Sequence, residues 1–129
     1  MPGQIMPGQI GWIDLTVPDA DAVRDFYQSV TGWLPSPVEM GGYDDFCMTP
    51  TGAAEPVAGI CQARGGNAGL PPVWLVYITV ADLDESIARC QSLGGKILRP
   101  TQPVGPKARF CAIQDPAGAA AALYETTGG

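Results

Sequence analysis

The chain of 129 residues contains no histidine, and only 7 of its residues are basic against 13 acidic, a formal net charge of −6. The first absence removes the side chain that most readily serves as a general base or a metal ligand near neutral pH. The second excludes a nucleic-acid partner, because such binders cluster Lys and Arg to displace counterions from phosphates. No apolar run approaches the ~20 residues that cross a bilayer, so no membrane partner is expected. The N-terminal stretch MPGQIMPGQI has neither the basic nor the apolar segment of a signal peptide. The four cysteines, Cys47, Cys61, Cys90 and Cys111, show no CxxC spacing and read as reduced core thiols of a cytoplasmic protein.

What the chain does have is a repeat. Shifted by 63 positions, Ile10–Gly32 falls on Val73–Gly95, and Thr16, Val17, Asp19, Asp21, Gln28, Ser29 and Gly32 meet identical residues. One recurrence at so long a period is a duplicated half-domain rather than a solenoid. The pentapeptide Met1–Ile5 is itself copied at Met6–Ile10, as a second start or a cloning scar would be, and residues 1–8 are set aside as an extension.

Within each half the same order of elements is expected. Ile13, Leu15 and Val17 alternate with Trp12, Asp14 and Thr16, the period of a half-buried strand. Asp19 caps a helix whose Val23, Phe26, Tyr27 and Val30 recur at helical spacing, and Gly32 closes it. Strands are expected at Pro37–Met40, Tyr43–Thr49 and Val57–Ala63, with glycine turns between them. Gly/Pro-rich residues 65–71 form the linker. A strand at Val73–Val80 then leads to a helix capped by Asp82, with Leu83, Ile87, Cys90 and Leu93 on its apolar face. Strands follow at Lys96–Arg99, Arg109–Gln114 and Ala119–Thr126. The fold class is therefore α+β, two tandem βαβββ modules at 9–64 and 72–127 within one domain.

This pattern, with IDLTVPDADAVRDFYQSVTGW, VYITVADLDESIARCQSLGG and DPAGAAAALYE, resembles the vicinal oxygen chelate superfamily, the glyoxalase/bleomycin resistance protein/extradiol dioxygenase group. The resemblance covers roughly residues 9–126 and implies a curved mixed sheet around a ligand cleft. It also implies a divalent metal held by His and Glu, at positions that here carry Trp12, Gly59, Leu75 and Ala122. None of these offers an imidazole, carboxylate or thiolate, nor do the neighbouring Gly11, Ile13, Trp74 or Val76. No metal and no other cofactor is expected.

The residues left to carry chemistry are few. Asp14 lies on the strand face of Trp12, and Tyr77 is its repeat counterpart. The two are candidate catalytic residues, an acid/base pair across an apolar cleft, with burial raising Asp14; a structural hydrogen bond is the competing reading. Trp12, Tyr43, Trp74, Tyr77 and Phe110 are candidate ligand-binding aromatics, although Trp74 and Leu75 must point to opposite faces. Arg109 is a candidate for steering an anionic group, or else a solvated strand residue.

Three functions follow from these residues. One is a metal-free protein of the bleomycin-resistance type, binding a small aromatic or cationic ligand. Another is a cofactor-free lyase, isomerase or hydrolase using Asp14 and Tyr77. The third, a metal-dependent glyoxalase or dioxygenase, has no metal ligands in this chain. A homodimer is expected, since half-sheets leave edges to cover.

Overall fold

The structure is a computed structural model that describes residues 6–126; the first MPGQI copy lies outside the described residues. The elements run β1 (Ile10–Val17), α1 (Ala20–Thr31), β2 (Leu34–Glu39), β3 (Asp44–Thr49) and β4 (Ala58–Gln62). They continue with β5 (Trp74–Thr79), α2 (Leu83–Ser92), β6 (Lys96–Val104), β7 (Ala108–Gln114) and β8 (Ala120–Thr126). The order βαβββ occurs twice, which is the α+β architecture that the repeat called for. The linker holds a short 3-10 turn at Gly65–Asn67 that the sequence did not suggest.

Two compact units are distinguishable, Ile13–Trp74 and the chain on either side of it. In the Ile13–Trp74 unit the strands are ordered β2-β3-β4-β1, and in the flanking unit β5-β8-β7-β6. Parallel pairing of β1 with β4 sets Asp14 opposite Gly59, Leu15 opposite Ile60 and Thr16 opposite Cys61. Parallel pairing of β5 with β8 sets Tyr77 opposite Ala122, Ile78 opposite Leu123 and Thr79 opposite Tyr124. Each residue of the second set lies 63 positions beyond its counterpart in the first. The repeat is thus one of register and not only of sequence.

Both helices start as expected: Asp19 accepts from the Ala22 N–H at 3.1 Å and Asp82 from the Glu85 N–H at 3.1 Å. A second anchor comes from the end of each module's last strand. The Gln62 carbonyl oxygen accepts from the Ala20 N–H at 3.2 Å, while its amide nitrogen donates to Asp21 at 2.8 Å. Glu125, the counterpart of Gln62, accepts from the Leu83 N–H at 2.9 Å, and Arg109 joins it to Asp84. Each helix N-terminus is therefore tied to its sheet by one polar side chain, satisfying a donor that the helix itself cannot.

One face of each sheet is covered by its helix. In the Ile13–Trp74 unit the core is Leu15, Val17, Ala20, Phe46, Met48 and Ile60. In the other it is Leu83, Cys111 and Leu123, with Ile78, Val80, Ile87 and Ile113 against them. The helical spacing overstates what is buried: Phe26 is 57% exposed, Val30 63% and Leu93 74%. Periodicity sets which way a residue points relative to its neighbours, but the width of the covered stripe depends on the sheet below it.

The outer strands also depart from expectation. β2 begins at Leu34, ahead of the expected Pro37, and so carries both Pro35 and Pro37. β6 runs on to Val104 and takes in Pro100 and Pro103. Proline removes ladder donors and belongs at such edges, so both outer strands resist pairing with another chain. At the other end of its sheet, β5 is met by the leading arm. The Gly8 N–H donates to the Thr79 carbonyl at 2.7 Å, and the Thr79 N–H to the Gln9 carbonyl at 2.9 Å. Gly8, set aside as an extension, therefore takes part in the fold.

Candidate functional site

Opposite its helix, each sheet has a second face, the open face, which its own helix does not cover although most of its residues are buried, and whose members follow from strand parity. On β1, Leu15 and Val17 enter the core, so Trp12, Asp14 and Thr16 take the open face. On β5, Ile78 and Val80 pack against α2, so Leu75, Tyr77 and Thr79 take it. Register adds Ala122 and Tyr124 from β8, and Ala112 and Phe110 from β7.

The open face of the flanking unit is aromatic and largely buried. Tyr77 and Phe110 are buried and pack with ring centroids 5.5 Å apart. Leu75, Ala112 and Ala122 are buried around them. Two of the expected ligand-binding aromatics are thus brought together, and Trp12, half-buried, belongs to the same unit.

The open face of the Ile13–Trp74 unit has a different chemistry. Asp14 stands opposite Gly59, Thr16 opposite Cys61, and Cys47 opposite Gly59 from the other side. Asp45 is buried and accepts from the Gln62 N–H at 2.9 Å; burial pushes its carboxyl up from the usual range. Burial, and then the charges of Asp14 and Asp45, push the thiols of Cys47 and Cys61 up. Cys111, wholly buried, is likewise raised by burial. A nucleophilic thiolate needs the opposite shift; Cys61 and Cys111 are buried and Cys47 is half-buried. Asp14 and Tyr77 belong to different units.

Three of the expected ligand-binding residues are engaged elsewhere. Trp74 lies against α1, its indole N–H donating to the Tyr27 hydroxyl at 3.1 Å, with Trp33 5.8 Å away ring to ring. Alternation explains this, since Leu75 takes the open face and Trp74 must take the other. Tyr43 lies under the Arg64 guanidinium, 4.3 Å from its centroid, and ties the linker to the turn before β3. Arg109 is paired with Glu125 at 2.6 Å and Asp84 at 3.4 Å, which makes it a clamp on α2 instead of a free cation.

Sequence reading also missed a groove between α1 and β2–β3, on the helix side. It has a volume of about 340 Å³ and is lined by Arg24, Gln28, Pro35, Pro37 and Phe46, among others. The Arg24 guanidinium covers the Phe46 ring at 4.6 Å. Pro35 and Pro37 line it because β2 starts early, at Leu34.

The residues at the implied metal positions do not fit a metal. Leu75 and Ala122 are buried hydrocarbon, Gly59 has no side chain, and Trp12 has no lone pair to give. Among the described residues no group of three or more Cys, Asp or Glu side chains is arranged to hold an ion. No helix among them is long and apolar enough to cross a membrane.

Comparison with known proteins agrees with the fold. The profile of the Glyoxalase/Bleomycin resistance protein/Dioxygenase superfamily matches residues 9–123. The protein CFP32 of Mycobacterium tuberculosis, which carries a glyoxylase name, is 36% identical over 121 residues, 92% of this chain and 46% of CFP32. The anthracycline biosynthesis protein DnrV of Streptomyces peucetius is 31% identical over 133 residues, 92% of this chain and 47% of DnrV. The chain thus spans about half the length of the curated relatives it matches.

Among solved structures, methylmalonyl-CoA epimerase from Mycobacterium tuberculosis aligns with a TM-score of 0.56 at 19% identity, covering 98% of this chain and 93% of the epimerase. A glyoxalase I mutant from Zea mays aligns with a TM-score of 0.61 at 18% identity, covering 93% of this chain and 44% of the enzyme. At such identities the likeness is one of fold. Repeat, register and profile together place the chain in the glyoxalase/bleomycin resistance protein/dioxygenase superfamily, to which it belongs.

Proposed function

We propose that this chain is a metal-free small-molecule binder of its superfamily, taking a planar aromatic ligand on the open face that carries Trp12, Tyr77 and Phe110. The observation that carries this reading is the replacement of donors by hydrocarbon: where the superfamily's ion would sit, buried Leu75 and Ala122 leave a surface suited to stacking. DnrV, named for anthracycline biosynthesis, is a relative whose name also points toward planar aromatics. The net charge of −6 favours ligands that bear an amine besides the ring system.

The test is titration with doxorubicin, an anthracycline that combines a planar ring system with an amine. Trp12→Ala weakens binding by roughly tenfold or more, since a lost aromatic contact adds ~0.5–1.5 kcal/mol to the lost burial and ~1.4 kcal/mol is a factor of ten. EDTA leaves the affinity unchanged. If EDTA abolishes binding while Trp12→Ala leaves it intact, the reading is wrong. Turnover that disappears in Asp14→Asn, with binding retained, would instead establish the acid/base enzyme.

We also infer a cytoplasmic homodimer. The proline-bearing outer strands are poor places for two copies to meet, whereas Phe26 and Val30 leave apolar surface on α1. Light scattering is expected to give twice the chain mass at micromolar concentration; a monomer there overturns this part.

A further inference from the structure

One polar atom on the aromatic face is unaccounted for. Thr79 is only 4% exposed, and its hydroxyl has no hydrogen-bond partner among the described residues. Its main chain is fully engaged, with the N–H donating to Gln9 and the carbonyl accepting from Gly8. The side chain lies on the same strand face as Tyr77, and its cross-strand partner is Tyr124, which in turn stands opposite Phe110. A buried hydroxyl without a partner costs stability, and valine would fill the same space without that cost. Orphaned polar groups of this kind belong where something outside the chain completes them.

We propose that the Thr79 hydroxyl is the polar anchor of the ligand face, donating to a neutral oxygen, a carbonyl or a hydroxyl, on the edge of a planar aromatic ligand. The inference rests on the aromatic-face reading above and adds to it the chemistry of the edge that points inward. The neighbours of Thr79 on this face, Tyr77, Phe110, Ala122 and Tyr124, supply no formal charge. An ionised group buried there would go uncompensated, so the anchored edge is neutral and any amine on the ligand lies elsewhere. A quinone-type carbonyl meets both conditions: it is flat with its ring, and it accepts one hydrogen bond in the ring plane. A ligand lacking the acceptor leaves the hydroxyl as orphaned as before, so the discrimination is that of one net hydrogen bond.

The experiment uses two probes of one shape, 2-(aminomethyl)anthraquinone and 2-(aminomethyl)anthracene, titrated by calorimetry into the wild-type chain and into Thr79→Val, Thr79→Ser and Trp12→Ala. The wild type is expected to prefer the anthraquinone by about three- to tenfold, the range of one net hydrogen bond. Thr79→Val removes that preference and leaves anthracene binding unchanged; Thr79→Ser keeps it. Without ligand, Thr79→Val is expected to melt at a higher temperature than the wild type, because an unsatisfied group has been removed. If both probes bind, Trp12→Ala weakens them and Thr79→Val changes neither affinity, the anchor is wrong while the aromatic face stands. A lower melting temperature for Thr79→Val with no change in preference would make the hydroxyl a purely structural group, which also overturns the proposal. If neither probe binds the wild type at millimolar concentration, the aromatic face falls too.

Discussion

Gly95→Ala is expected to cost about 2–3 kcal/mol of unfolding free energy, the upper part of the range for overpacking, while Gly32→Ala costs about 1 kcal/mol. The two glycines are repeat counterparts, yet the structure uses them differently. Gly32 is the C-cap of α1 at φ +80, where a side chain is strained but the nearest atom to an added Cβ, the Thr51 hydroxyl, is 3.7 Å away. α2 ends earlier, at Ser92, and passes the left-handed turn to Gly94 at φ +97. Gly95 is thereby freed from the turn and pressed between α2 and the strand beside it. A Cβ there would sit 2.5 Å from the Cys90 sulfur and 3.0 Å from the main-chain oxygens of Cys90 and Gln114.

The sulfur can rotate away but the two oxygens cannot, since one belongs to the helix end and the other to β7. Cys90→Ala in the Gly95→Ala background therefore recovers only part of the loss. Urea unfolding with an unchanged m-value is the measurement. Equal losses at the two glycines, or full recovery in the double variant, would mean that the close approach relaxes freely.

Those glycines also mark how far the sequence could be read. The repeat identities Thr16/Thr79 and Asp19/Asp82 sit at strand ends and helix caps, where backbone chemistry admits few residue types, so architecture and offset were legible. What an identical residue does in each copy was not legible, because a helix shorter at its end moves the turn along the chain. Burial failed for the same kind of reason. Phe26, Val30 and Leu93 fit the helical period, but period carries no information on how much sheet lies underneath.

Strand parity was legible where it depended on alternation: Trp12 and Tyr77 each fall on the strand face expected from the sequence. Contacts that depend on a distant partner were not legible. Nothing near Trp74 in sequence announces Tyr27 and Trp33, and nothing near Arg109 announces Asp84 and Glu125. Thr79 was passed over because an orphaned hydroxyl becomes visible only when the atoms around it are known.

The clamp at the end of each module provides the second test, since the two copies solve one problem with different charges. Glu125→Ala is expected to cost about 2 kcal/mol, most of it from the Leu83 N–H left unsatisfied at the buried start of α2. The pair with Arg109 is open to solvent on the arginine side and adds little of its own. Glu125→Gln keeps an acceptor for that N–H, reproduces the Gln62 of the first module, and should cost well under half as much.

The pH dependence separates the two contributions. The hydrogen bond from Arg109, and then the one from the Leu83 N–H, hold the Glu125 carboxyl below its ordinary value of 4.5. A carboxyl depressed in the folded state contributes stability above its unfolded pKa and loses it as pH falls through the folded one. The wild type should therefore lose stability below about pH 4.5 more steeply than Glu125→Gln, and the two should converge in acid.

The reverse exchange should not be tolerated as well. Where Arg109 pairs with Glu125 in the second module, the Gln62 amide of the first donates to the Asp21 carboxylate and to the Asp44 main-chain oxygen, and the Gln62 N–H donates to the Asp45 carboxylate. Gln62→Glu would add a third carboxylate beside those of Asp21 and Asp45, with no cation among these partners, so it should destabilise more than Glu125→Gln at pH 7 and recover as pH falls. Equal costs for the two exchanges at pH 7 would show that charge plays no part in either clamp.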